Sequence, residues 1–387
     1  MHRMHSVLFH RATGAAFADR ADAFLLGRAS AIGGQRDVDA IWPGDLDTDF
    51  SAGDLRTRHV GGLRGALAGA LSLALSNFPS YGSDIGGYRG GAPNEELLLR
   101  WAAMQAPLTI MQLGGGGDHH NPWLPPYTSA AVDGYRKLAR LHIDLYPYLY
   151  TLAQRASTTG RPYALPPAAV FPQEAALDAV TDAFMVGDRL YAAPVLDSGV
   201  SGRRVRLPPG QWMAVRETLA GRVVHAGSRE IDVVAAPGEL PLFLKVGSAI
   251  LLGMPDVITL TEGARASIKS GARWQGRTRV LWAPDLAAPV VAGQAEEVLR
   301  FAGEQGGASV GTRALTFTSE PATTEALLEI ALAPGATPPV ILEVNGAPLV
   351  AEAAADPATC AKCARWDPTG TLTLGLRGNA GAKITLR

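Results

Sequence analysis

The sequence predicts an α/β region over about the first 158 residues and an all-β remainder, on the strength of two textures that change near Gly160. Up to that point short apolar runs alternate with helical stretches, the pattern of βα units around a parallel sheet. Beyond it the chain turns to short β-branched segments punctuated by Gly and Pro, as in RRVRLPPGQW and REIDVVAAPGELPLFLKVGSAI, which read as antiparallel sandwich. A chain of 387 residues also exceeds what one hydrophobic core organises, so division into domains is expected.

Taken in order, DAFLLGRA (22–29) reads as a buried strand and DVDAIWPGD (37–45) as a second. TRHVGGLRGALAGALSLALS (57–76) carries Leu and Ala at three- and four-residue spacing, as a helix packed on a sheet does. NFPSYGSD (77–84) predicts a third strand, NEELLLRWAAMQ (94–105) a helix, APLTIMQL (106–113) a fourth strand, and Ser129 to Ala156 a long amphipathic helix. These make about four βα units, half of what a closed (β/α)8 barrel requires. The last block, from about Pro255 to Arg387, ends in TLTLGLRGNAGAKITLR with two-residue alternation. The expected domains are therefore a partial barrel at 1–158, a proximal β-sandwich at 159–254 and a distal β-sandwich at 255–387.

Composition excludes several classes. With 35 Lys+Arg against 36 Asp+Glu there is no basic footprint, so no nucleic-acid partner is expected. No apolar run is long enough to cross a bilayer, so no membrane partner is expected either. Cys360 and Cys363 form a single CxxC, too sparse for a disulfide framework or a four-ligand zinc site, and a loop staple or a pair of thiols is its simplest reading. The opening MHRMHSVLFHRA shows no apolar stretch followed by a small-residue cleavage site.

In a barrel enzyme the chemistry sits where strands end, which singles out Arg28 after the first strand, Asp45 after the second and Asp84 after the third. A carboxyl group that follows an aromatic and a tight Pro-Gly turn suits a general acid, because partial desolvation raises its pKa. An Asp after Pro-Gly is also an ordinary turn or N-cap residue, and the Gly pair after Asp84 also suits a plain turn. The order and spacing of the motifs decide between these readings.

Arg28 with Gly33 and Gln35, WPGDLDTDF (42–50), LSLALSNFPSYGSDIGGY (71–88), EELLLRW (95–101), NPW (121–123), LYPYLY (145–150), GRPYALPP (160–167), VGDRLYAAPV (186–195) and RLPPGQW (206–212) together resemble glycoside hydrolase family 31 over about residues 20–250. The resemblance implies strands 5 to 8 of the family's (β/α)8 TIM barrel followed by its C-terminal sandwiches. It implies a retaining enzyme acting on an α-linked oligosaccharide or glycoside through a covalent intermediate, without metal or cofactor. Asp45 falls on the acid/base position. Arg28 matches a strand-5 arginine of the sugar subsite and Asp84 the strand-7 aspartate of the same pocket. Trp42 and Phe50 would form apolar wall, Phe50 standing where the family more often has Trp.

Two departures accompany the resemblance. The family's nucleophile is an aspartate ending strand 4, upstream of the segment that LFHRA resembles, and nothing before Asp19 is acidic. At strand 8, where the family offers an Arg and a His, this chain reads MQLGGGGDHHNPW, with Gln112 and Gly114 in those places. His119 or His120 could swing in to replace the imidazole, or both could be solvated loop residues; a metal site with Asp118 is the weaker alternative. The expectation is an incomplete glycosidase whose partner is the missing N-terminal half of the barrel. The alternatives are a non-catalytic α-glycan-binding pseudoenzyme or an assembly module.

Overall fold

The structure is a computed structural model, and it describes residues 2–20, 23–54, 56–114, 120–220, 222–259, 277–285, 297–300, 305–310, 314–320, 325–332, 342–344, 347–348, 362–367, 371–377 and 381–386. Two compact units emerge, the first from Met1–His142, Leu152–Pro208 and Ser228–Leu242, the second from Ile143–Thr151, Pro209–Gly227 and Phe243–Arg387. Among the described residues no helix is long and apolar enough to cross a membrane.

The first unit opens with α1 (His2–Ala15), β1 (Leu26–Gly27), β2 (Ala40–Ile41), α2 (Leu63–Leu75), β3 (Asp84–Ile85), α3 (Glu95–Gln105) and β4 (Gln112–Leu113); α4 (Ser129–Thr159) follows, with its Ile143–Thr151 stretch counted in the second unit. β1 pairs with β2 in parallel, and β3 with β4 likewise. Ile41 joins Tyr81 by a further parallel bridge, so all of these strands leave the sheet in one direction. β1, β2 and β4 are shorter than their apolar runs, and β3 begins only at Asp84, the last residue of the run expected to form it. Pro43 has no N–H to continue the ladder past β2, and the Asp39 carboxylate accepts the Leu25 N–H at 2.6 Å before β1 begins.

Helix α2 buries Leu63, Ala66, Leu67, Ala70, Leu71 and Ala74, a stripe at the expected spacing, but it starts six residues later than its apolar pattern. Gly61 at φ +93° and Arg58 at φ 59° hold left-handed backbone just ahead of it. Helix α3 is capped by Asn94, whose Oδ1 accepts from Leu97 N at 2.8 Å, and carries Glu95 and Glu96 in its first turn. Helix α4 ends on Gly160 at φ +73°, a left-handed cap.

Next come β5 (Ala164–Leu165), α5 (Pro167–Val170), β6 (Phe184–Val186), β7 (Leu190–Ala192), β8 (Gly202–Arg206), β9 (Gln211–Ala214), β10 (Val223–Ala226), β11 (Glu230–Val234) and β12 (Leu242–Lys245). β5, β6 and β7 form an antiparallel meander within the first unit, where β8 also pairs with β11. In the second unit β9 lies between β10 and β12, both antiparallel to it.

The remainder of the second unit holds β13 (Ser248–Leu252), β14 (Arg277–Ala283), β15 (Glu297–Arg300), β16 (Gln305–Val310), β17 (Ala314–Glu320), β18 (Glu325–Ala331), β19 (Leu342–Val344), β20 (Ala347–Pro348), β21 (Lys362–Asp367), β22 (Thr371–Arg377) and β23 (Gly381–Leu386). One sheet runs β13-β14-β18-β22-β21, the other β15-β16-β17-β23-β19-β20. Alternation is visible in Leu328 and Ile330 and in Leu372 and Leu374, all fully buried. Trp212 and Trp282 are core residues, while Trp274 and Cys360 lie outside the described residues.

Arg100 is the charge most deeply set in the first unit at 2% exposure. Its Nε donates to Glu96 Oε1 at 2.9 Å, and its other nitrogens donate to the carbonyls of Val200 and Ala235. Glu96 in turn accepts from Gly199 N at 3.0 Å. Removing the cation leaves carbonyls and a carboxylate short of donors, so Arg100→Met should lower unfolding free energy by about 3 kcal/mol in urea titration. A loss within the scatter of surface substitutions would contradict that account.

Candidate functional site

Because these strands run in one direction, side chains from 28, 42, 84 and 112 form a continuous run of contacts although they are up to 84 positions apart. Trp42 N donates to Gly27 O at 2.8 Å, which sets the indole beside the end of β1. There the Arg28 guanidinium stands 5.3 Å above the Trp42 ring and reaches Asp45 Oδ1 at 3.6 Å. The indole Nε1 donates to Asp84 Oδ2 at 2.9 Å, and Gln112 Nε2 donates to Asp84 Oδ1 at 2.8 Å. Arg28, Trp42, Asp45 and Asp84 are thus one connected group.

Asp84 is 5% exposed, whereas Asp45 is half-buried beside the exposed Arg28. Burial pushes the Asp84 carboxyl above its ordinary value, opposed by the Trp42 and Gln112 donors, reinforced by the negative charge of Asp45, and opposed again by His120. Behind it, Ser83 Oγ donates to Gln105 Oε1 at 2.8 Å and accepts from Trp101 Nε1 at 2.9 Å, so the strand is anchored from its buried side. Gly114 is a contact requirement: a Cβ there would lie 2.0 Å from Asp84 Oδ1. A larger residue at the end of β4 would displace the carboxylate.

His120 is 4% exposed and packs near Gly86, where an added Cβ would meet its Cδ2 at 3.4 Å. The reading of His120 as a solvated loop residue is therefore corrected, since its ring is buried beside the turn that follows Asp84. His119 lies outside the described residues. Phe50, half-buried in the loop after β2, stands outside the hydrogen-bonded group. Gln112 is a direct partner of Asp84 that sequence reading marked only as a departure, because nothing local to MQLGGGG reports a strand neighbour 28 residues away.

The raised pKa of Asp84 has a signed consequence. Its neutral form favours the folded state, so its contribution is complete below the ordinary value of 3.8 and is lost as pH rises through the higher folded value. In urea titrations between pH 4 and 7, stability should decline with pH more steeply in the parent chain than in Asp84→Asn. Equal slopes would remove the burial argument.

Comparison with known proteins shows the family. Residues 1–152 match the Glycosyl hydrolases family 31 TIM-barrel domain, and residues 160–250 match the Glycosyl hydrolase family 31 C-terminal domain. The sulfoquinovosidase of Agrobacterium fabrum is 30% identical over 232 residues, covering 59% of this chain and 33% of its own length. A probable glucan 1,3-alpha-glucosidase of Arabidopsis thaliana is 31% identical over 260 residues, covering 65% of this chain and 26% of its own. The chain thus spans a third or less of these curated relatives. In fold it is similar to a dextranase from Flavobacterium johnsoniae complexed with isomaltotriose, with a TM-score of 0.78 at 19% identity, covering 100% of this chain and 49% of that one. With well over half of its residues matched by the barrel and C-terminal domains of one family, this chain belongs to glycosyl hydrolase family 31.

Proposed function

We propose that the chain carries the acid/base half of a retaining α-glycosidase site, with Asp45 as the proton donor and acceptor. The observation behind the reading is the connected group itself: a half-buried carboxyl at one strand end, held beside a cation and an aromatic face, next to a buried carboxyl at the next. In this mechanism Asp45 protonates the departing glycosidic oxygen and then takes a proton from the attacking water, as microscopic reversibility requires. Asp84 accepts hydrogen bonds from sugar hydroxyls, since each oxygen that takes one protein donor keeps a second lone pair. Arg28 and Trp42 shape the subsite, Phe50 adds apolar wall, and His119 or His120 stands in for the imidazole that is missing at the end of strand 8. No metal or cofactor enters this chemistry.

The domain reading goes with it: strands 5 to 8 of the barrel at 1–158, a proximal β-sandwich at 159–254 and a distal one at 255–387. A retaining pair needs a second carboxylate about 5–5.5 Å from the first, on the other side of the scissile bond. We infer that this nucleophile comes from the other half of a barrel, and that the chain by itself binds an α-linked glycoside without cleaving it. The family comparisons support a glycan ligand, because structural relatives are seen with isomaltotriose and with glucose. A pure glycan-binding role is the second reading, favoured by Gln112, whose amide already spends itself on Asp84.

Calorimetry with isomaltose and an aryl α-glucoside separates these statements. Asp84→Ala should weaken binding about 10- to 100-fold through lost charged hydrogen bonds. The chain alone should release no aryl leaving group. In an assembly that supplies the nucleophile, Asp45→Asn should cost about 10²- to 10⁴-fold in kcat on substrates with poor leaving groups and far less on activated ones. Hydrolysis that persists unchanged in Asp45→Asn would overturn the acid role.

A further inference from the structure

The loops that follow β2 and β3 do not diverge when their strands end. Tyr88 N and Arg89 N both donate to Leu46 O, at 2.9 and 3.0 Å, and Thr48 N donates back to Arg89 O at 2.8 Å. Asp47 and Arg89 form a parallel bridge, so the sheet continues as main-chain pairing past the residues that carry the site. Gly87, at φ +87°, permits this approach; a Cβ there would lie 2.6 Å from Asp47 O. The Asp45 carboxyl hangs from one of the two paired segments and Asp84 opens the other.

Asp47 ties the pair together. Its Oδ1 accepts a fork from Arg89, Nε at 2.9 Å and Nη2 at 2.6 Å, and its Oδ2 accepts Val60 N and Gly61 N, each at 3.2 Å. His59 Nε2 stands 3.1 Å from Asp47 Oδ2 and 3.0 Å from Asp49 Oδ2. Asp47 N donates to Gly61 O at 2.9 Å. Burial acts against this carboxylate, yet the Arg89 and Gly61 bonds hold it below the ordinary carboxylate range. A lone exposed ion pair would contribute little, but here a bidentate arginine, two backbone donors and an imidazole converge on one half-buried group. Asp47, Asp49 and His59 offer ligand atoms within 4.8 Å of one another, but the Asp47 oxygens are already taken by Arg89 and the backbone, the arrangement of a clamp.

We propose that Asp47, through Arg89, is a positioning residue that locks the loop bearing Asp45 to the loop leaving Asp84 and so fixes the spacing of the two carboxyl groups. The inference rests on the reading of Asp45 and Asp84 as one sugar site. It assigns no contact with substrate to Asp47.

Carboxyl ¹³C resonances followed through a pH titration of the full chain test it. Asp45→Asn serves as the control and lowers the Asp84 midpoint by removing a neighbouring negative charge. Asp47→Asn and Arg89→Gln are each expected to lower that midpoint by about 0.5 pH unit or more, because both release the Asp45 loop and admit water. Their direct charge effects have opposite signs, since losing a carboxylate favours ionisation of Asp84 and losing a guanidinium opposes it. A fall in both variants supports the clamp; shifts of opposite sign, or none, overturn it. Arg89→Lys keeps the charge without the fork, so a fall there carries no direct charge effect, and it carries the test if Asp47→Asn does not fold, no fall again counting against the clamp. An Asp84 midpoint that ignores Asp45→Asn instead breaks the pairing of the two carboxyls, a failure of the proposed function rather than of the clamp.

Discussion

A carboxyl group can be buried at a strand end only where donors reach its oxygens, and at Asp84 those donors come from the strands on either side. Trp42 arrives from the end of β2 and Gln112 from β4, both of which run in the direction of β3. The rest of the site follows from that alignment. Once the indole is turned toward Asp84, its face is presented to Arg28, and Arg28 is brought within reach of Asp45.

The same constraint explains the small residues around it. Gly114 leaves the space that the Asp84 carboxylate occupies, and Gly87 lets the following loop approach Asp47 closely enough for main-chain pairing. Short strands are then no weakness, because the hydrogen bonding that they lack continues in the loops through Leu46, Thr48, Tyr88 and Arg89. Beneath, Trp101, Ser83 and Gln105 form a buried polar network that pins β3 to α3, whose own position is held by Arg100. A buried network of this kind is stabilising only when every member is satisfied.

Much of this was legible in order and spacing. Helix α3 announces itself by Asn94, the glutamates after it and a run of Leu, and α2 by Leu and Ala every three or four residues. Asp45 and Asp84 could be marked because each follows an apolar run and a turn. The length of the strands was not legible, since an apolar run reports burial and says nothing of where a ladder loses its partner. The burial of His120 was equally hidden, because DHHNPW is a polar loop by every local measure and its surroundings come from residues distant in the chain, such as Gly86.

Sequence by itself determined the regimes of the chain and the family, because these depend on local periodicity and on motifs in a fixed order. Tertiary structure alone decided the partners: Gln112 on Asp84, Arg28 over Trp42, and the fork from Arg89 to Asp47. Those contacts join residues from 14 to 42 positions apart, and hydrogen-bond geometry is specified by the register of neighbouring strands rather than by any residue's own neighbours along the chain.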